Sequence, residues 1–279
     1  MNYTSFRSFC ILHSAFCILA STFGLSAASA AERPTVEAGI DYCSKQVTRG
    51  LIDNEEGIAT LSAAIEWEGF SFEVDGIFNT TDIAEEEGYD AWDNTEVDYI
   101  FGYGYTFGAD DFGLPTDIEL ALDYTYEWDN GGELEDDDHV QYIHASIGLP
   151  EVFLSPTLAG EWMLDQFHGQ YYSLELSHTF ELVAGEGEDA DPAVGLTLSV
   201  VQGLADKKYN EDDLEKDFWA FRDTTLTATL DWIVCDYLTV SPYISYSDHF
   251  GGPVRKAAKC DEHDDTYHFY GGVAVSASF

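Results

Sequence analysis

The stretch that decides the fold is residues 270–279, YGGVAVSASF. Read together with Tyr267, His268 and Phe269, it places Phe279, Ala277, Val275, Val273, Gly271, Phe269 and Tyr267 on one side of an extended strand. Ser278, Ser276, Ala274, Gly272, Tyr270 and His268 fall on the other side. One face is apolar along its whole length and the other is mild. The chain around it carries 53 acidic against 11 basic residues, a net charge of -42, so that apolar face needs surroundings other than water.

The same alternation recurs upstream. In TDIELALDYTYEW, Ile118, Leu120, Leu122, Tyr124, Tyr126 and Trp128 share one face, opposite Asp117, Glu119, Ala121, Asp123, Thr125 and Glu127. FSFEVDGIFN sets Phe70, Phe72, Val74 and Phe78 against Ser71, Glu73, Asp75 and Asn79. VDYIFGYGYTF and TLTATLDW repeat the pattern around Asp98 and Asp231. Collected along the chain, such segments predict twelve strands, at 35–50, 57–67, 70–79, 95–107, 116–128, 139–149, 156–165, 170–182, 193–204, 217–233, 236–247 and 267–279. Most run to about ten to fourteen residues, the length a tilted strand needs to cross a bilayer and longer than a soluble sheet uses.

The links between the strands carry a second signal. Long acidic connections such as TTDIAEEEGYDAWDN and DNGGELEDDD mostly alternate with short ones such as the Glu68–Gly69 pair and VCD, as external loops alternate with periplasmic turns. DQFHGQ, short where an external loop belongs, and VAGEGEDADPA, long where a turn belongs, depart from that rule. Residues 1–31 have one Arg, an apolar middle from Phe9 to Leu25 and the small-residue ending SAASAA, which reads as a secretory signal peptide cut after Ala30 or Ala31. The expected mature unit is 32–279, an all-β, twelve-stranded antiparallel transmembrane barrel; the alternative is a secreted β-sandwich.

A bilayer leaves no water for backbone groups, so extended chain crosses it only in a sheet with no free edge. In such a barrel the inward faces collect Glu73, Asp75, Asp98, Glu119, Asp123, Glu127, Glu175 and Asp231, the candidate pore-lining residues. Arg49 and Arg222 are almost the only cations read onto strands. A water-filled, negatively walled lumen would pass cationic or neutral solutes and reject anions; a narrow interior plugged by hydrogen-bonded polar groups would conduct nothing. The acid excess also argues against nucleic acid as a partner.

Acid runs at Asp136, Asp137 and Asp138 and at Asp261, Asp264 and Asp265 offer oxygen ligands, but none has the spacing of a dedicated calcium loop. Any binding of Ca²⁺ or Mg²⁺ there would be loose, with bridging to lipopolysaccharide as its setting, and no other cofactor is expected. Enzymatic roles find little support: Ser177 and His178 are adjacent and so point to opposite faces, and the CDEHDD stretch with Asp261, His263 and Asp264 has no nucleophile beside it. The mature cysteines Cys43, Cys235 and Cys260 match no metal motif; a Cys43–Cys260 bridge would draw the last long loop into the lumen.

NTEVDYIFGYGYTFG, preceded by SFEVDGIFN, resembles the midsection of the TorF-like porins, where an acidic-aliphatic strand start leads into a Gly/Tyr-rich strand. LSPTLAGEWMLDQFHGQYYSLELSHTFEL and LTVSPYISYS are similar to segments of related small Gram-negative barrels. The resemblance covers most of the mature chain as pattern, and carries over no site residue. It implies an outer-membrane, porin-like barrel, and Phe279 resembles the C-terminal aromatic read by the barrel assembly machinery.

Overall fold

A computed structural model describes residues 33–81, 91–129, 139–164, 168–185, 192–215, 217–249, 252–258 and 266–279. Twelve strands form one closed ring: β1 (Thr35–Cys43), β4 (Ile58–Trp67), β5 (Phe70–Asn79), β6 (Asn94–Phe107), β7 (Ile118–Asp129), β8 (His139–Gly148), β9 (Thr157–Met163), β10 (Gln170–Val183), β11 (Val194–Ala205), β12 (Ala220–Cys235), β13 (Leu238–His249) and β14 (Tyr267–Ser278). Each pairs antiparallel with its neighbours in sequence, and β14 returns to pair with β1. The 267–279 segment is therefore bonded on both sides, and Val36 and Phe279 exchange backbone hydrogen bonds of 3.1 and 2.9 Å at the seam. A sandwich, which needs two sheets with edges, is ruled out.

Register fixes which side chains face out. Pairings such as Gly102↔Asp123 and Tyr103↔Leu122 put the polar set inside and the apolar set outside all round the ring. Outward side chains stay bare to the surroundings: Phe70 is 63% exposed, Leu122 54%, Ile244 59% and Phe269 63%. A contiguous apolar belt of this extent on a closed barrel marks a membrane-spanning surface. Aromatic pairs border it at both rims, with Phe70–Tyr103 (4.8 Å) and Tyr237–Phe279 (6.1 Å) at the rim holding Thr35 and Tyr246–Phe269 (4.8 Å) and Tyr172–Trp219 (6.4 Å) at the opposite rim. Twelve residues at about 3.3 Å each, tilted by about 40°, cover roughly 30 Å of membrane normal. Among the described residues, no helix is long and apolar enough to cross a membrane.

Eight strands make a barrel that side chains alone can fill; twelve, spaced about 4.8 Å apart, close at a backbone diameter of roughly 24 Å and leave room inside. The two-residue hairpin turn Glu68–Gly69 has φ of 50° and 82°, the paired positive values of the turn type that matches strand twist, and Gly69 takes the second at no steric cost.

The prediction of a single strand over 35–50 is corrected. β1 stops at Cys43, and an inserted hairpin follows, β2 (Gln46–Thr48) and β3 (Leu51–Asn54), paired only with each other. Its tip is Arg49–Gly50, with φ of 50° and 86°. Three further connections are helical: α1 (Ala109–Phe112), α2 (Lys207–Leu214) and α3 (Gly252–Ala258). The signal-peptide segment 1–31 lies outside the described residues, as do 82–90, 130–138 and 259–265.

Candidate functional site

All eight carboxylates read as pore-lining lie on inward positions by register, and they are unevenly distributed. β5, β6 and β7 bring three of them side by side: Asp75 is directly opposite Asp98, and Asp98 directly opposite Glu127. Glu96, absent from the sequence reading, joins them: carboxylate oxygens of Glu96, Asp98 and Glu127 all lie within 4.8 Å of one another. Glu73 sits two residues along β5 from Asp75 on the same face. Asp123 lies deeper on β7, opposite Gly102, with its Oδ2 3.2 Å from His144 Nδ1 across the β7–β8 pair, and Glu119 is near the end of that strand. Strands β4 to β8 carry no Lys or Arg at all. Like charges placed directly opposite on a sheet repel, and Asp75 and Asp98 each keep one oxygen shielded from solvent with no hydrogen-bond partner in the protein. This wall demands something from outside the protein, whether water, protons or cations.

Glu175 and Asp231 belong to a different surface. Along β10 to β13 the inward positions are mainly hydroxyls that bond one another in rungs: Thr179 with Thr197 (2.8 Å), Thr227 with Ser245 (2.9 Å) and Thr225 with Ser247 (2.9 Å). Asp231 accepts a hydrogen bond from Ser241 at 2.7 Å and so is absorbed into that ladder.

The third surface is the rim holding Cys43, and nothing in the sequence reading located it. In the ring, β9 lies six strands from β1 in either direction, which makes the two diametrically opposite. The β2–β3 hairpin leaves β1 and reaches that far wall. Arg49 bonds both carboxylate oxygens of Glu161, on β9, at 2.5 Å and the Tyr209 hydroxyl from α2, and its guanidinium lies 5.1 Å from the ring centre of Tyr171 on β10. Six residues separate Cys43 from Arg49, about 20 Å of extended chain, so hairpin and side chain together suffice to cross the lumen. Arg222 on β12 donates from Nε to the Arg49 carbonyl at 3.2 Å, and its guanidinium lies 5.0 Å from the Tyr209 ring. A Cβ on Gly50 would stand 2.9 Å from both Asp223 and the His249 ring, so the tip is seated directly against β12 and β13. Burial would depress the Arg49 pKa, but Tyr209 and Glu161 beside it outweigh that and hold it above its ordinary value, keeping the group charged.

Two helices complete this rim. Asp206 caps α2 by accepting from Tyr209 N at 2.8 Å, and Leu214 at its far end packs with Val254 and Ala257 of α3 and with Leu51 of the hairpin. Tyr209, Leu214, Val254, Arg222 and His249 are all buried there. Arg49 is thus a turn residue locked to an acid, which corrects its reading as a strand-borne cation.

Ser177 faces inward on β10, whereas His178 faces out and meets Phe153 and Phe180, so the two cannot act together. Cys43 is buried and inward, donating to the Lys45 carbonyl at 2.9 Å; Cys260, its suggested partner, lies outside the described residues. So do Asp136, Asp137, Asp138, Asp261, Asp264 and Asp265, the weak metal candidates.

No protein-family model and no curated protein matches the chain. Among solved structures it is similar to the NanC porin, at 9% identity and TM-score 0.46 over 88% of this chain and 99% of that one. It is also similar to an outer-membrane channel from Pseudomonas putida, at 10% identity and TM-score 0.48 over 91% and 100%. The translocator domain of the autotransporter NalP from Neisseria meningitidis matches at 9% identity and TM-score 0.40 over 98% and 96%. These neighbours are outer-membrane porins, channels and translocators; the TorF-like family in particular is not among the findings, and likenesses at these scores carry no argument about activity.

Proposed function

We propose that this protein is an outer-membrane, porin-like channel of a Gram-negative bacterium that allows passive, cation-leaning diffusion of small hydrophilic solutes. The observation that carries this reading is the carboxylate wall of Glu73, Asp75, Glu96, Asp98, Asp123 and Glu127, which faces a barrel too wide for side chains to fill and has no Lys or Arg on its own strands. Such a wall concentrates cations and repels anions. The secretory leader, the apolar belt and the aromatic rims support the membrane assignment. In that setting Thr35 and Phe279 lie at the periplasmic rim, the hairpin and helices α2 and α3 lie outside, and passage involves no chemical step or cofactor. Lipid and lipopolysaccharide are its neighbours, with divalent cations loosely held among the acidic external loops, and the strand ending in Phe279 is the element presented to the assembly machinery.

The test is planar-bilayer recording of the purified barrel under a salt gradient. Discrete conductance whose reversal potential shows cation preference, weakened in Glu119→Gln with Asp123→Asn, supports the channel. A folded but silent barrel refutes it and favours a second reading, a non-conducting surface barrel that meets cations or partner cells through its acidic loops. The specific observation behind that second reading is the buried Leu214, Val254 and Ala257 cluster closing over part of the outer mouth.

A further inference from the structure

The crossing hairpin bears on this channel reading, on which the following rests for its effect on transport. We propose that β2–β3 is a strap across the outer mouth, latched by the Arg49–Glu161 ion pair, which blocks entry along the hydroxyl side and leaves the carboxylate wall as the way in. Four observations converge. The hairpin ladders with no strand of the ring, so nothing in the sheet dictates its position. It leaves β1 and is anchored on β9, at the opposite end of a diameter. Its tip touches inward residues of β9, β10, β12 and β13, and Leu51 joins the α2–α3 core above them. Toward the acid side it is tied at the rim itself, where Asn54 donates to Asn79 of β5 at 2.7 Å. The described part of the mouth is therefore filled over β9 to β13, whereas Asp98 and Glu127 retain partial exposure.

The latch is charge-specific. One guanidinium nitrogen of Arg49, Nη2, donates to both carboxylate oxygens of Glu161 while Nη1 donates to the Tyr209 hydroxyl, and the side chains of the ion pair are only 22% and 10% exposed. A largely buried ion pair is costly to break on one side only, because the remaining charge is stranded. Removing either partner should therefore release the strap, and exchanging the two charges should restore it.

Ser247 provides a reporter that does not depend on conduction. It is wholly buried, faces inward on β13 and lies one inward position below His249, against which the tip sits. In the mature protein with Cys43, Cys235 and Cys260 replaced by Ser, Ser247→Cys is exposed to a membrane-impermeant maleimide added from outside. Labelling should be slow with the native latch and about tenfold faster in Arg49→Glu or in Glu161→Arg. The double exchange should return it to the slow rate. Glu161→Gln, which keeps the shape and drops the charge, gives the same reading should a charge reversal fail to fold. Single variants that stay folded and label at the native rate, or a double exchange that labels as fast as the singles, would overturn the strap. Conductance separates this from the channel reading: fast labelling with roughly doubled conductance and reduced cation preference supports both, whereas fast labelling with no current in any variant supports the strap and refutes the channel.

Discussion

The two walls of the lumen solve the same problem in opposite ways. Both must place polar groups inside a closed sheet. Along β10 to β13 the groups are hydroxyls, each able to donate and accept, so neighbours such as Thr227 and Ser245 satisfy each other and the wall is complete in itself. Along β5 to β7 they are carboxylates, which when ionised only accept, so Asp75 and Asp98, set directly opposite, repel. The difference teaches where to look for function: in an interior able to use either chemistry, a surface of crowded like charges is maintained for something that comes from outside.

Breaking the acid wall should have the largest effect. Asp75→Asn with Asp98→Asn and Glu127→Gln should lower the cation-to-anion permeability ratio about tenfold, read as a shift of reversal potential toward zero. Wall and latch are also expected to respond differently in stability. Glu161→Gln leaves the Arg49 charge partly buried without its partner and should destabilise the outer rim by about 3 kcal/mol, seen as faster proteolysis within 46–54 while the barrel itself stays heat-resistant. Thr227→Ala with Ser245→Ala removes both partners of one rung, so denaturant titration should show a loss of about 1 kcal/mol with unchanged ion selectivity. The smallest effect sharpens the contrast in sign: Asp75→Asn alone should stabilise the barrel, by about 0.5 kcal/mol, because it relieves the repulsion from Asp98 while the amide can still hydrogen-bond the Glu73 carboxylate beside it.

The barrel itself was legible because lipid and lumen impose a period of two on every strand, and the period survives whatever residues fill it. Phe70 to Asn79 and Ile118 to Glu127 announce their inward and outward faces without any knowledge of partners. The crossing hairpin was not legible as such. The even-numbered outward positions of β1, apolar at Val36, Ile40 and Tyr42, turn polar at Ser44, Gln46 and Thr48, which marks the end of the lipid-facing strand, and Gly50 after Arg49 hints at a tight turn, but neither tells where the hairpin goes. Helix α2 was hidden by its acidity, because KKYNEDDL has no apolar stripe, although Asp206 before it was a readable cap. The latch itself joins residues far apart in sequence and was beyond any local pattern: Glu161 looks like one inward acid among many until Arg49 meets it. Glu96, by contrast, lies two residues before Asp98 on the same face of β6, so its inward position was legible from alternation alone.

The seam between β1 and β14 has a consequence for how the molecule comes into being. The first and last strands of the ring must find each other before any lasting cylinder exists, so every strand made earlier waits with an open flank until β14 arrives. During that interval the chain carries a greasy ribbon through water, and the abundant acid of its loops is what keeps one such ribbon from sticking to the next.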